Sequence, residues 1–321
     1  MKDAAQLDRA RGHSEVKQLL QQAYSEAKDH KLPESIETLE QALALDFENT
    51  EVVTALKYVS FWADRQETVR SLAEPFEQGE YLLDQWRVFR DFARRVGEPV
   101  VPAIDAVRGH VFRQALHCYR EVYQERSNRD ADLLVRIGRC YKGTGEFDRA
   151  LRFVQAAGAQ RSESAEILAE LADLFALVNE VAKAKALFRE AFFLDAQSID
   201  LARLESELIS RVVQAVTERG FVGPALKEWI PVYGVLFGVL NVKRELRSIE
   251  YGRLKQSIYL LERELREGTG DVEIVRPRLI NRYFWPIDHY MATDEFQSKI
   301  DEVSLKIRSV DSDVYHQYRK L

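Results

Sequence analysis

The chain is poor in chain breakers: 15 Gly and 8 Pro in 321 residues, together about 7% where average proteins carry roughly 12%. That shortage excludes collagen-like, disordered and turn-dense all-β chains, all of which need frequent breaks. Cysteine is scarcer still. Cys118 and Cys140 sit in helical, apolar contexts and read as buried thiols rather than a disulfide framework. There is no strong excess of either charge, since 46 basic side chains face 52 acidic ones for a net charge of −6. Phosphate backbones demand a basic surface, so a general nucleic-acid binder is not expected. A long hydrophobic run is also missing. The longest uncharged apolar stretch, Trp229 to Val242, is interrupted by Pro231, Gly234 and Gly238 and is shorter than the roughly 20 residues a membrane helix needs. The N-terminal segment MKDAAQLDRARGHSEVKQ is charged and shows no secretory leader. The expected location is cytoplasmic, with no membrane insertion.

What the chain does contain is 46% hydrophobic and 31% charged residues, a mixture suited to amphipathic helices. An internal repeat organises them. Leu134, Ile137, Gly138 and Tyr141 fall at helical spacing, Gly145 interrupts, and Phe147, Ala150, Val154 and Ala157 begin a second helix. With Leu134 shifted onto Leu168, the template returns as Leu168, Leu171, Ala172 and Phe175, then Asn179, then Val181, Ala184, Phe188 and Ala191. The small residues let two antiparallel helices approach. Large residues at Tyr141, Phe153, Phe175 and Phe188 fill the space between neighbouring pairs, and one pair alone cannot bury its apolar face.

This template resembles the tetratricopeptide repeat (TPR) family. The resemblance implies an all-α solenoid, a right-handed superhelix of antiparallel helix pairs with a concave groove that binds a peptide or partner protein. The clearest copies are 131–164 and 165–198, with degenerate or irregular copies near 16–49, 50–78, 99–130 and 206–239. In the last of these a shift of 41 restores the register, which predicts a lengthened first helix. Residues 1–240 thus read as the repeat array. Residues 241–321 read as a helical C-terminal cap, opening with one long helix over 244–267.

No catalytic constellation stands out. There is no phosphate-binding loop, G-x-S-x-G or H-E-x-x-H, so the chain reads as a non-enzymatic scaffold without cofactor. His110, His117 and Cys118 share a region but lack further ligands for a metal. Asp288-His289 reads as a solvated helix end, with titration near neutrality as the alternative. Arg87, Arg90, Arg94 and Arg95 read as a solvated basic face beside Trp86 and Phe89, with partner or anionic-ligand binding as the alternative. The TPR resemblance puts first helices along the groove. It makes Arg136, Arg139 and Lys142, followed by Glu166, Glu170 and Asp173, the candidate partner-binding side chains; Arg139 and Asp173 occupy equivalent positions and could equally pair. The family's two-carboxylate clamp is not matched, because Val135 and Arg139 replace its usual polar residues. The apolar stretch, with Trp229, Tyr233 and Phe237, is either core beneath the cap or an interface for a partner or second copy. The alternative function is a helical-repeat receptor for a small or apolar ligand in an enclosed cavity.

Overall fold

The computed structural model describes residues 2–125, 130–293 and 297–321, and the side chains of 13–124, 130–293 and 297–321. It is all-α, with no strand among the described residues. None of the described helices is long and apolar enough to cross a membrane. The chain divides into two compact units, 1–153 and 154–321, and the division falls inside one helix.

Unit 1 begins with α1 (Lys2–Lys28), α2 (Leu32–Leu45) and α3 (Thr50–Ala63). It continues with the short α4 (Gln66–Ser71), α5 (Pro75–Val96), α6 (Val101–Glu125), α7 (Ala131–Gly143) and the first half of α8 (Phe147–Gln160). Segment 99–130 was expected to hold a pair but forms the single helix α6. Pro102 lies in the first turn, where its missing N–H costs nothing. Gly109 does not end the helix, and a β-carbon built on it would meet the Lys28 stem at 3.4 Å. Helix α6 packs against α1, α3, α5 and α7. Two neighbouring glycines leave room for its side chains: a β-carbon on Gly79 of α5 would meet the Tyr119 ring at 2.7 Å, and one on Gly143 of α7 would meet Phe112 at 2.3 Å. Trp62, Tyr58, Phe89 and Leu82 are fully buried between α3 and α5. Cys118 and Cys140 are free thiols, both buried. Burial pushes the Cys118 thiol up to about 11 and raises Cys140 further.

Unit 2 holds the rest of α8, then α9 (Ala165–Leu177), α10 (Val181–Asp195), α11 (Glu207–Thr217) and α12 (Gly223–Leu236). After these come α13 (Ser248–Glu267), α14 (Val272–Ala292), α15 (Gln297–Val310) and α16 (Ser312–Tyr318). The C-terminal segment is more than a lid on the repeats. Ile280, Phe284 and Ile287 of α14 are fully buried in one continuous core with Phe188, Ile230 and Val232. Helix α14 packs on α12, α13 and α15.

Three hairpins close by the same hydrogen bonds. Between α7 and α8, Thr144 N–H reaches Cys140 O, Gly145 N–H reaches Lys142 O and Glu146 N–H reaches Tyr141 O, at 2.9–3.1 Å. Each of these bonds recurs one repeat on, from Val178, Asn179 and Glu180 to Leu174, Ala176 and Phe175. Asp29, His30 and Lys31 make the same three bonds between α1 and α2. The pattern is a Schellman closure, which needs a left-handed residue after the helix. Gly145, Asn179 and His30 supply it with φ of 80°, 64° and 64°. Helix starts repeat as well: the Asp130 side chain accepts from Leu133 N–H, and Ser164 accepts from Ile167 N–H.

The 41-residue spacing has a different origin from a lengthened helix. Four residues, 161–164, separate α8 from α9, whereas eleven, 196–206, separate α10 from α11. The seven extra residues lie in this linker, which holds a 3-10 turn at Leu201–Arg203 capped by Asp200. Helix α13 likewise starts at Ser248 rather than 244, because Leu236 ends α12 and residues 237–247 form a non-helical connection.

Candidate functional site

The charged residues expected along the groove are buried or engaged. Arg136 forms a two-pronged ion pair with Glu80 on α5, at 2.6 and 2.9 Å, and Tyr119 donates to the same carboxylate. Burial alone would raise the Glu80 carboxyl, but those hydrogen bonds outweigh it and hold it below its ordinary value. Arg139 and Lys142 are buried in unit 1, and Glu170 in unit 2. Glu166 lies 3.8 Å from Arg203. Asp173 is fully buried and accepts the backbone N–H groups of Glu205 and Ser206 at 2.7–3.0 Å. Ser206 is the N-cap of α11 and makes no side-chain cap of its own, so Asp173 ties the linker's end to α9.

The apolar stretch divides in the same way. Trp229 and Tyr233 are core residues of unit 2, while Phe237 is 39% exposed. The chain then turns through Gly238 in left-handed geometry, and Leu240 folds back against Gly234. Asp288 is buried rather than solvated and pairs with Arg189, whose other amino group donates to Leu240 O at 2.6 Å. Burial pushes the Asp288 carboxyl up to about 6, against the pull of Arg189. His289 Nδ1 accepts from Leu246 N–H at 3.1 Å. Arg189 and His289 thus pin the 237–247 connection at both ends.

That pinning builds a cavity of about 430 Å³ in unit 2, walled by α10, the end of the connection, α13 and α14, with Ser162 and Glu163 at its edge. Its floor is a small apolar cluster separate from the main core: Leu246, Leu254 and Trp285, with Phe193 packed against them. The Trp285 ring has Arg189 at 5.2 Å and Arg244 at 5.4 Å over it, close enough for cation–π attraction. Phe193 lies 4.3 Å away, centroid to centroid. The buried Trp285 Nε1 has no hydrogen-bond partner among the described residues.

Four arginines and three glutamates line this cavity. Arg244 and Arg247 share Glu250 at 3.2 and 3.3 Å, and Arg253 faces Glu163 at 3.8 Å. The Arg247 side-chain hydrogen bond, with the Arg247 N–H and Arg244 beside it, holds Glu250 down to about 2 in spite of partial burial. Arg282 differs. Its Nε donates to Ser257 Oγ at 3.2 Å, Nη1 donates to Phe193 O, and its guanidinium lies 3.8 Å over the Phe193 ring. It makes no ion pair with a carboxylate among the described residues. Burial and the neighbouring Arg278 bring its proton affinity down to about 10.

The chain matches no family model and no curated protein.

A second cavity, about 410 Å³, lies in unit 1 between α1, the start of α3 and Pro102, where Tyr24 donates to Glu51 at 3.1 Å. Among the described residues, no group of three or more His, Cys, Asp or Glu is placed to hold a metal ion. His110 is buried against His30, Nδ1 to Nδ1 at 2.9 Å, with Gln66 on its other nitrogen at 3.0 Å. Sequence reading missed the unit 2 cavity because its walls come from four separated segments. Arg282 and Trp285, one helical turn apart in an aromatic-rich helix, are the nearest thing to a signal.

Proposed function

We propose that the protein is a non-enzymatic scaffold of TPR-like helix pairs that binds a peptide or partner protein. One observation carries the reading: the cap, the helix bounds, the left-handed residue and the turn hydrogen bonds of 130–146 all recur at 164–180. A unit repeated at this spacing builds surface by addition, and repeat proteins use such surfaces for recognition. The groove-side assignment of Arg136, Arg139, Lys142, Glu166, Glu170 and Asp173 needs revision within this proposal, since these side chains are buried or engaged. The test is cross-linking of the full chain in its native extract, followed by identification of cross-linked peptides. A protein that cross-links reproducibly to one face of the helix pairs supports the scaffold. A chain that returns only self-cross-links, and co-purifies with a small molecule in native mass spectrometry, overturns it.

The second reading, a helical-repeat receptor for a small ligand, is favoured by the unit 2 cavity. Its volume lies within the roughly 300–1,000 Å³ range of small-molecule sites, and its apolar floor carries polar groups at the rim.

A further inference from the structure

We propose that the cavity over Trp285 is a binding site for a small monocarboxylate with an apolar body, its carboxylate held by Arg282 and its body resting on Phe193, Leu254 and Trp285. The inference deepens the receptor reading and rests on it for the cavity being a ligand site; it adds the ligand's chemistry.

A guanidinium partly withdrawn from water gains from an anion that meets it, and Arg282 is half-buried with no carboxylate paired to it among the described residues. The other three cavity arginines each have a carboxylate partner, and among the described residues this one does not. Its Nε and Nη1 are spent on Ser257 and the Phe193 carbonyl, which fixes the plane of the group. Nη2 is left to donate to an incoming oxygen, and a fixed guanidinium is a good carboxylate partner.

The charge count selects the ligand's valence. Four arginines against three glutamates leave the lining at +1. One carboxylate neutralises it, whereas a phosphate dianion would reverse the sign beside Glu163, Glu190 and Glu250. The floor selects the rest. Leu246, Leu254 and Trp285 form a cluster isolated from the main core, which offers an aromatic or branched aliphatic body a place to displace water. Trp285, whose buried Nε1 has no hydrogen-bond partner among the described residues, belongs to the same lining.

The experiment titrates the full chain with 3-phenylpropionate, 3-phenylpropanamide and inorganic phosphate, and reads the four tryptophan indole N–H signals by nuclear magnetic resonance. Trp285→Phe assigns the relevant peak. The expected result is a saturable shift of the Trp285 signal with the acid, at least roughly tenfold weaker binding of the amide, and no comparable response to phosphate. Arg282→Gln should weaken the acid roughly tenfold and leave the amide unchanged. Should that variant fold poorly, Glu250→Gln provides the opposite test. It frees Arg244 and Arg247 while an amide oxygen can still accept from Arg247 N–H, so acid binding should tighten severalfold, a gain that a folding defect cannot imitate. Equal binding of acid and amide would leave the cavity a ligand site but overturn the carboxylate assignment. A stronger response to phosphate would overturn the charge argument. No movement of Trp285 with either phenyl compound would overturn both the assignment and the receptor reading of this cavity.

Discussion

Among individual residues, the buried polar groups separate structural roles from binding roles. Asp173 reads from the sequence as a groove acid, yet its carboxylate replaces the missing cap of α11. Asp173→Ala removes the acceptor of one buried and one half-buried backbone N–H, and should lower stability by about 2 kcal/mol. Asp173→Asn keeps one acceptor oxygen and should lose less; urea midpoints compare the two. His110 gives a pH signature. Burial first, then His30 and Arg113, bring its proton affinity from 6.5 down to about 3. The folded state therefore resists a proton that the unfolded chain accepts. The histidine's contribution is fully present above pH 6.5 and is lost as pH falls towards 3, at up to about 1.4 kcal/mol per pH unit. His110→Gln should flatten that part of the stability profile, measured by thermal or urea unfolding across pH 3–7.

Among helices and turns, the most legible parts of the sequence were those fixed by short-range physics. Helices α7 to α10 could be read from spacing alone, because their apolar positions, caps and turn residues all lie within one repeat length. Asn179 makes the turn chemistry testable. Asn179→Gly should be close to neutral, whereas Asn179→Val forces a β-branched side chain to φ 64° and should cost about 1–2 kcal/mol in unfolding free energy. The less legible elements depend on tertiary choices. Pro99, Pro102 and Gly109 looked like breaks, but α6 absorbs the last two, one in its first turn and one against Lys28. The seven additional residues before α11 looked like helix. They became linker because Asp200 caps a 3-10 turn and Asp173 fixes the two residues that follow Leu204. The cavity was not visible because the surroundings of Arg282 depend on which helices meet, not on its neighbours in sequence.

For the whole molecule, the placement of α14 changes what the C-terminal segment 241–321 is for. It supplies a central helix of unit 2, not a cover over finished repeats. A chain ended after Leu240 would leave Phe188, Ile230 and Val232 without Ile280, Phe284 and Ile287. Limited proteolysis with circular dichroism should then show residues 154–240 cleaved rapidly and low in helix, while unit 1 survives. Survival of 154–240 as a protected fragment would restore the cap reading. The two thiols bear on the same division. Cys118 and Cys140 are the chain's only cysteines, both lie in unit 1, and both are 3% exposed or less. Alkylation needs an accessible thiolate, which the raised proton affinity of each thiol also withholds. Labelling kinetics under native conditions therefore record the opening of one unit alone: unit 2 can unfold and refold in the tube without adding a single mass increment.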